Sequence, residues 1–162
     1  MTPAAESFAG RRVAVTGAAI SGIAAAKALL DRGARVLVVD ERDDMPTRAA
    51  VAALEARGAE VRLGDGRSPV DADLVVTSPG WRPDQPLLAA AAAAGIEVIG
   101  EPELAWRLRP WRGDSLPAPW VAVTGTNGKT TTVGMVEAIL AAAGYRTIAA
   151  GNVGTPLVEA VL

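Results

Sequence analysis

Short runs of β-branched residues alternate with alanine- and leucine-rich segments along most of this chain. Strands are predicted at five places: 12–16, 35–39, 60–63, 74–77 and 96–99. Helices are predicted between and after them, at 22–32, 47–57, 85–94 and 102–108. Parallel neighbours in a sheet need a long crossover, usually a helix, and these segments supply such crossovers. The alternation therefore predicts an α/β fold with a doubly wound parallel sheet.

The periodic pattern breaks at residues 109–119, where three prolines and a glycine predict a linker. Beyond it, the sequence predicts a strand at 120–124, a helix at 130–143, a strand at 147–150 and the beginning of another helix after residue 154. Two strands and so little helix cannot bury their own apolar faces. We therefore interpret residues 1–108 as one domain and residues 120–162 as the truncated start of a larger α/β domain.

Histidine and cysteine are both absent from the 162 residues. Their absence excludes disulfides, cysteine nucleophiles, histidine bases and metal sites made of thiolates or imidazoles. Sixteen basic against eighteen acidic residues give a net charge of −2, which predicts no nucleic-acid partner. No apolar run reaches the roughly 18 residues of a membrane span, and the amino terminus lacks the order of a secretory signal. The sequence therefore predicts no membrane partner and a cytoplasmic protein.

The strongest motif lies between the predicted strand at 120–124 and the helix that follows. It consists of Gly125, Thr126, Asn127, Gly128, Lys129, Thr130 and Thr131. Glycines at such a turn let backbone N–H groups converge on phosphate oxygens, and the helix adds the partial positive charge of its amino terminus. The motif predicts a P-loop for ATP, with Lys129 on the β and γ phosphates and Thr130 on Mg²⁺. Its spacing is unusual, because the common pattern would place the first glycine at Val123.

A second glycine loop follows the first predicted strand. It reads Gly17-Ala18-Ala19-Ile20-Ser21-Gly22, and Asp40 closes the next strand about twenty residues on. The pattern is typical of a dinucleotide fingerprint in which alanine replaces the central glycine. Ser21 is placed to donate to a phosphate, while the methyl group at Ala19 disfavours NAD. A tight turn without any ligand explains the same residues equally well.

Three smaller features remain open at this level. Ser78, Pro79 and Gly80 follow a predicted strand, at the edge where doubly wound sheets bind ligands, or form a bare turn. Asn152, in the loop 151–154, offers an amide for a substrate or tolerates a left-handed turn. Three of the four tryptophans, Trp106, Trp111 and Trp120, surround the predicted linker and are best explained by packing at a domain boundary.

The segments VTGAAISG, ADLVVTSPG, AGIEVIGEPEL, VAVTGTNGKTTT and GNVGTPL occur in this order from Arg12 to the last residue. In order and spacing they closely resemble the Mur ligases. The resemblance is greatest to the members that add D-glutamate to UDP-N-acetylmuramoyl-L-alanine. It implies an ATP- and magnesium-dependent amide-bond ligase of peptidoglycan synthesis that activates the substrate carboxylate as an acyl phosphate.

The resemblance also implies a Rossmann-like first domain that holds a UDP-sugar. On this basis the UDP-substrate site consists of Ile20, Ser21, Asp40, Arg42, Ser78, Gly80 and Asn152. Residues 125–131 hold ATP, with Lys129 and Thr130 as the catalytic pair and Thr130 as the magnesium ligand. Ala19 stands where the family commonly has glycine.

The resemblance covers only the amino-terminal part of such ligases, whose central domain carries a metal-binding glutamate and histidine and a modified lysine. We therefore expect the chain to bind UDP-substrate without turning over. The alternatives are another member of the family, an NAD-binding Rossmann module, and a nucleotide-binding or assembly module without catalysis.

Overall fold

A computed structural model describes residues 6–109, 117–151 and 154–162 of the chain. Its centre is a five-stranded sheet, in which every strand is parallel to its neighbours, in the order β3-β2-β1-β4-β5. The strands are β1 (Arg12–Thr16), β2 (Arg35–Asp40), β3 (Glu60–Leu63), β4 (Leu74–Thr77) and β5 (Glu97–Gly100). The predicted α/β fold with a doubly wound, Rossmann-like sheet is confirmed.

Helices follow four of the five strands, all except β3, and cover both faces of the sheet. They are α1 (Ile20–Leu30), α2 (Met45–Glu55), α3 (Pro86–Ala93), α4 (Glu101–Leu108), α5 (Lys129–Ala142) and α6 (Leu157–Val161). One apolar cluster joins α1, α2, α4 and α6 to one face, and a smaller cluster joins α3 to the other. Within the described ranges, no helix is both long and apolar enough to span a bilayer.

Burial explains why the central strands consist almost wholly of apolar residues. The last four residues of β1 and the first three of β4 are buried, because helices cover the sheet on both sides. Helix α2 begins two residues before its predicted start, since the Asp44 side chain accepts a 2.8 Å hydrogen bond from the Thr47 N–H and Pro46 occupies the first turn.

The prediction of strands at 120–124 and 147–150 is wrong for the part of the chain that the structure describes. Residues 120–124 pair with no described strand, and the segment 147–150 makes one isolated bridge, from Ala150 to Thr155. A strand persists only where a neighbour completes its ladder of hydrogen bonds. Helix α5 between them has no buried residue, and Met135 and Ile139 are exposed.

Helix α6 packs on the first part of the chain. Its Val158 is completely buried and belongs to the same apolar cluster as Leu104 of α4. The buried carboxylate of Glu101, at the start of α4, accepts a 2.7 Å hydrogen bond from the Val158 N–H. This bond satisfies one of the free donors at the beginning of α6 and ties residues 57 positions apart.

Candidate functional site

A cavity of about 440 Å³ lies at the carboxyl edge of the sheet, where the loops after β1, β2 and β4 meet. Of the residues predicted to bind the UDP-substrate, six line it: Ile20, Ser21, Asp40, Arg42, Ser78 and Gly80. The seventh, Asn152, lies outside the described residues. The remaining lining residues are Gly17, Ala19, Glu41, Pro79 and Trp81.

The loop after β1 requires glycine at both of its ends. A Cβ atom on Gly22 would lie 1.7 Å from the carbonyl oxygen of Gly17, which leaves no room for a side chain. Gly17 has a φ of +96°, and a Cβ there would lie 2.9 Å from the Ser78 Oγ. Close approach of backbone to backbone therefore explains these two glycines without any ligand.

The same loop presents unused hydrogen-bond donors at the beginning of α1. The N–H groups of Ile20, Ser21 and Gly22 donate to no acceptor among residues that the structure describes, and no side chain caps the helix. Ala19 is exposed and extended, so its methyl group causes no strain. Free N–H groups and the helix dipole together favour an anion at this position.

The Asp40 carboxylate is saturated with hydrogen bonds from its own protein. Its Oδ2 accepts from the Ala18 N–H at 2.6 Å and from an Arg42 guanidinium N–H at 3.1 Å. Its Oδ1 accepts from the Arg42 backbone N–H at 2.8 Å and from Arg42 Nε at 3.1 Å. A carboxylate has about four acceptor positions, so none is left for a ligand.

These contacts also set the ionisation of Asp40. Burial by itself would raise the pKa of the carboxyl group, but the hydrogen bonds from Arg42 and Ala18 outweigh it and hold the pKa below its ordinary value. Asp40 therefore remains charged at neutral pH and fixes the Arg42 side chain at the pocket edge.

Two of the predicted binding side chains are open to solvent. Ile20 is 73% exposed, although it is apolar, and the Arg42 side chain is 56% exposed. An exposed aliphatic side chain and a held guanidinium plane give the pocket surfaces suited to a flat ring. Ser78, in contrast, is buried beside Gly17.

Two pocket residues with distinctive chemistry, Glu41 and Trp81, were not predicted from the sequence. Glu41 lies between the two predicted residues Asp40 and Arg42, and Trp81 directly follows the Ser78-Pro79-Gly80 turn. Their positions next to predicted site residues are the signal that could have identified them.

The predicted phosphate loop is an exposed turn that ends at the beginning of α5. Gly128 is the residue before the helix and has a left-handed conformation, with φ of +75°. Within the described ranges, the N–H groups of residues 125–131 donate to no acceptor. The loop thus has free donors next to a helix of 14 residues, as a phosphate site requires.

Lys129 folds back onto this loop. Its Nζ donates to the carbonyl oxygen of Gly125 and, at 3.3 Å, to that of Thr126. Both contacts are exposed, so the ammonium group can exchange them for other acceptors at little cost in desolvation. Thr130 is also exposed. The part of the chain described here contains no cluster of three or more acidic, histidine or cysteine side chains that could hold a metal ion by itself.

A second cavity, of about 460 Å³, lies between α5, α6 and the segments 118–123 and 146–150. It is lined mainly by apolar side chains, and none of the described residues predicted to bind a ligand lines it. Near it, the rings of Trp106 and Trp120 meet edge to face at 5.3 Å, and the Arg109 guanidinium stacks on Trp106. Trp106 and Trp120 thus pack on each other, while Trp111 lies outside the described residues.

Comparison with known proteins identifies the class to which this fold and site belong. The chain belongs to the Mur ligases: the family model described as "Mur ligase MurD-like, N-terminal domain" matches residues 11–100. Two relatives named UDP-N-acetylmuramoylalanine--D-glutamate ligase match almost all of the chain. The protein from Thermobifida fusca is 58% identical over 154 residues, and that from Streptomyces coelicolor is 54% identical over 155 residues.

These alignments cover 94% and 95% of this chain but only 32% and 33% of the relatives. The chain thus spans about a third of the length of the curated relatives that it matches. Among solved structures, a UDP-N-acetylmuramate-alanine ligase MurC from Thermotoga maritima has a TM-score of 0.53 at 24% identity, over 81% of this chain and 29% of that one. It shares the fold. The resemblance to the Mur ligases is confirmed.

Proposed function

We propose that this chain provides the UDP-substrate site and the phosphate loop of an ATP-dependent ligase that joins D-glutamate to UDP-N-acetylmuramoyl-L-alanine. One observation carries the proposal: three separate loops bring six predicted substrate-binding residues to one cavity. The carboxyl edge of a doubly wound sheet is where such folds bind ligands. The names of the relatives supply the identity of the substrates.

In the pocket, the free N–H groups at the start of α1 would hold the diphosphate of the UDP-substrate. Ile20 and Arg42 would hold the uracil ring, with Ser78 and Gly80 on the opposite side of the loop. Asp40 would act by positioning, since it holds Arg42 and the Ala18 backbone and has no acceptor left for the ligand.

At the second loop, the N–H groups of residues 125–131 would hold the phosphates of ATP. Lys129 would exchange the carbonyls of Gly125 and Thr126 for the β and γ phosphates, and Thr130 would bind Mg²⁺. Mg²⁺ needs few protein ligands when phosphates supply the others, so a single hydroxyl fits. ATP supplies the phosphoryl group that makes the substrate carboxylate an electrophile for the amine of D-glutamate.

The proposed domain bounds are those predicted from the sequence. Residues 1–108 would form the UDP-substrate domain, 109–119 the linker and 120–162 the first part of the ATP domain. Asn152 would contact the UDP-substrate near the junction of the two domains.

The hydrogen bonds that Asp40 accepts disfavour the alternative of an NAD-binding module. In dinucleotide-binding folds the acidic residue after the second strand bonds the ribose hydroxyls. Here the Asp40 carboxylate is fully engaged by Ala18 and Arg42. A ribose would have to displace one of these bonds.

Calorimetric titration with UDP-N-acetylmuramoyl-L-alanine tests the first half of the proposal, and Mg-ATP tests the second. We expect binding of both, and a roughly ten-fold loss of UDP-substrate affinity in Arg42→Ala. The matched control is Arg48→Ala, because Arg48 pairs with Asp43 outside the pocket. Saturable binding of NADH, with no binding of the UDP-substrate, would reject the proposal.

A further inference from the structure

Trp81 is held against the glycine loop by the turn that follows β4. The Ser78 N–H donates to the Thr16 carbonyl at 3.1 Å, which extends the pairing of β4 with β1. The Trp81 N–H then donates to the Ser78 carbonyl at 3.0 Å and closes the turn. Two backbone bonds therefore fix the start of the Trp81 side chain relative to the loop after β1.

The indole ring is anchored on one side and open on the other. Trp81 is half-buried and packs against the apolar cluster that includes Val39, Val75 and Leu87. Its Nε1 lies 3.3 Å from the position that a Cβ on Gly17 would occupy, so its polar edge points toward the glycine loop. Packing holds the ring in place and costs little further entropy when a ligand arrives.

The indole N–H has no partner in the part of the chain that the structure describes. No described acceptor receives a hydrogen bond from the Trp81 indole N–H. Among the described residues, no fully buried side-chain nitrogen or oxygen lacks a partner, so this nitrogen is not fully buried. It is therefore reachable from the pocket. An indole N–H can only donate, so the group that completes it must be an acceptor.

The order of the strands decides which part of a ligand this donor faces. Strand β1 lies between β2 and β4, so Arg42 and Trp81 flank the glycine loop on opposite sides. The free N–H groups at the start of α1 follow the same loop. A nucleotide with its base near Arg42 would bring its diphosphate across the glycine loop, toward which the Trp81 Nε1 is turned.

We propose that Trp81 is a specificity-determining residue, whose indole N–H donates to a phosphate oxygen of the nucleoside diphosphate in this pocket. This inference rests on the proposed function, because it assigns a further donor to the same site. It distinguishes a diphosphate ligand from a nucleoside, which has no charged acceptor at that position.

Titration of the whole chain with UDP, by calorimetry, tests the inference in Trp81→Phe. Phenylalanine keeps an aromatic ring in the apolar cluster, and it removes the donor together with part of the ring system. We expect a roughly ten-fold weaker affinity for UDP, since hydrogen bonds to charged groups are among the stronger ones. Trp106→Phe is the matched control, because the Trp106 ring is exposed and lies outside the pocket. This variant should bind UDP as the unaltered protein does.

A second measurement does not depend on the stability of the variant. In ¹⁵N-labelled unaltered protein, the four indole N–H groups can be followed by NMR. We expect UDP to shift the Trp81 signal downfield, and uridine at the same concentration to leave it in place.

Three results would overturn the inference. Equal UDP affinity of Trp81→Phe and the unaltered protein would do so, as would a Trp81 signal that saturating UDP does not move. Failure of the unaltered protein to bind UDP would reject the proposed function and this inference together, whereas the first two results leave the proposed function intact.

Discussion

The carboxylate of Asp40 accepts a 2.6 Å hydrogen bond from the backbone N–H of Ala18, 22 residues earlier in the chain. This bond connects the end of β2 to the glycine loop after β1, and the same carboxylate holds the Arg42 guanidinium. One buried charge therefore organises two sides of the pocket. Its energetic contribution can be measured through the stability of the chain.

Asp40→Asn should lower the free energy of unfolding by about 1–3 kcal/mol at pH 7, because an amide nitrogen would face donors on Arg42 or Ala18. The pKa of Asp40 is lowered in the folded state, so its carboxylate stabilises the fold above the ordinary pKa of 3.8. That contribution is lost as the pH falls through the folded pKa. Urea unfolding at several pH values measures it.

The difference between Asp40→Asn and the unaltered protein should stay constant from pH 7 to about pH 5 and shrink below the ordinary pKa of 3.8. A difference that does not change with pH would show that the charge of Asp40 does not matter.

Gly22→Ala should destabilise the chain by about 3 kcal/mol, because its Cβ would lie 1.7 Å from the backbone oxygen of Gly17. Backbone atoms cannot give way as a flexible side chain can. The control is Gly134→Ala, in the middle of α5, where a Cβ meets no atom within 4 Å. This second change should leave stability unchanged or raise it by up to about 1 kcal/mol. Equal denaturation midpoints for the two variants would contradict the close approach.

Glu101 should give the chain a pH dependence of the opposite sign to that of Asp40. Burial raises the pKa of the Glu101 carboxyl group, and the N–H groups of Val158 and Leu157 offset part of this effect. The folded protein therefore holds a proton more tightly than the unfolded chain. Stability from this group is full below the ordinary pKa of 4.5 and falls as the pH rises through the raised value.

Glu101→Gln keeps an oxygen that can accept from Val158 and removes the buried charge, so stability at pH 7 should be equal or higher. Glu101→Ala removes the acceptor and should cost about 1–3 kcal/mol. Glu159→Gln, an exposed change in α6, serves as the control. Thermal unfolding at pH 4 and pH 7 separates the effects. Greater stability of the unaltered protein than of Glu101→Gln at pH 7 would show that the charge itself is favourable.

The chain has only two lysines, so each is a control for the other. Lys129→Met should weaken Mg-ATP binding at least about ten-fold, because the ammonium group would no longer reach the phosphates. Lys27→Met, on the exposed side of α1, should bind as the unaltered protein does. Calorimetry with Mg-ATP measures both. Similar losses in the two variants would indicate a general effect of charge and not a phosphate loop.

Most strands and helices up to Leu108 could be predicted from the sequence, because the turns and apolar patterns that define them span only a few residues. The runs at 60–63 and 74–77 became strands with the predicted bounds, since flanking turns and branched residues define them within a few positions. The run at 120–124 has the same composition but lacks a described neighbour, and a strand is a property of pairs.

The pocket was predictable only in part. The positions of Asp40 and Ser78 after strands place both at one edge of a parallel sheet, which sequence can indicate. The saturation of Asp40 depends on the direction of Arg42, and the orientation of Trp81 depends on packing beneath it. The bond between Glu101 and Val158 joins residues 57 apart and leaves no periodic signal.

Helix α6 stabilises elements that lie far from it in the sequence, because it packs on α1 and α4. Val158 completes the apolar layer over α1 and α4, although it lies 50 positions after Leu108 at the end of α4. A protein trimmed after Leu108 would keep all five strands of the sheet and still lose part of the apolar layer that covers one face of it. The apolar core on this face of the sheet is therefore complete only with a segment that follows residues 125–131 in the chain.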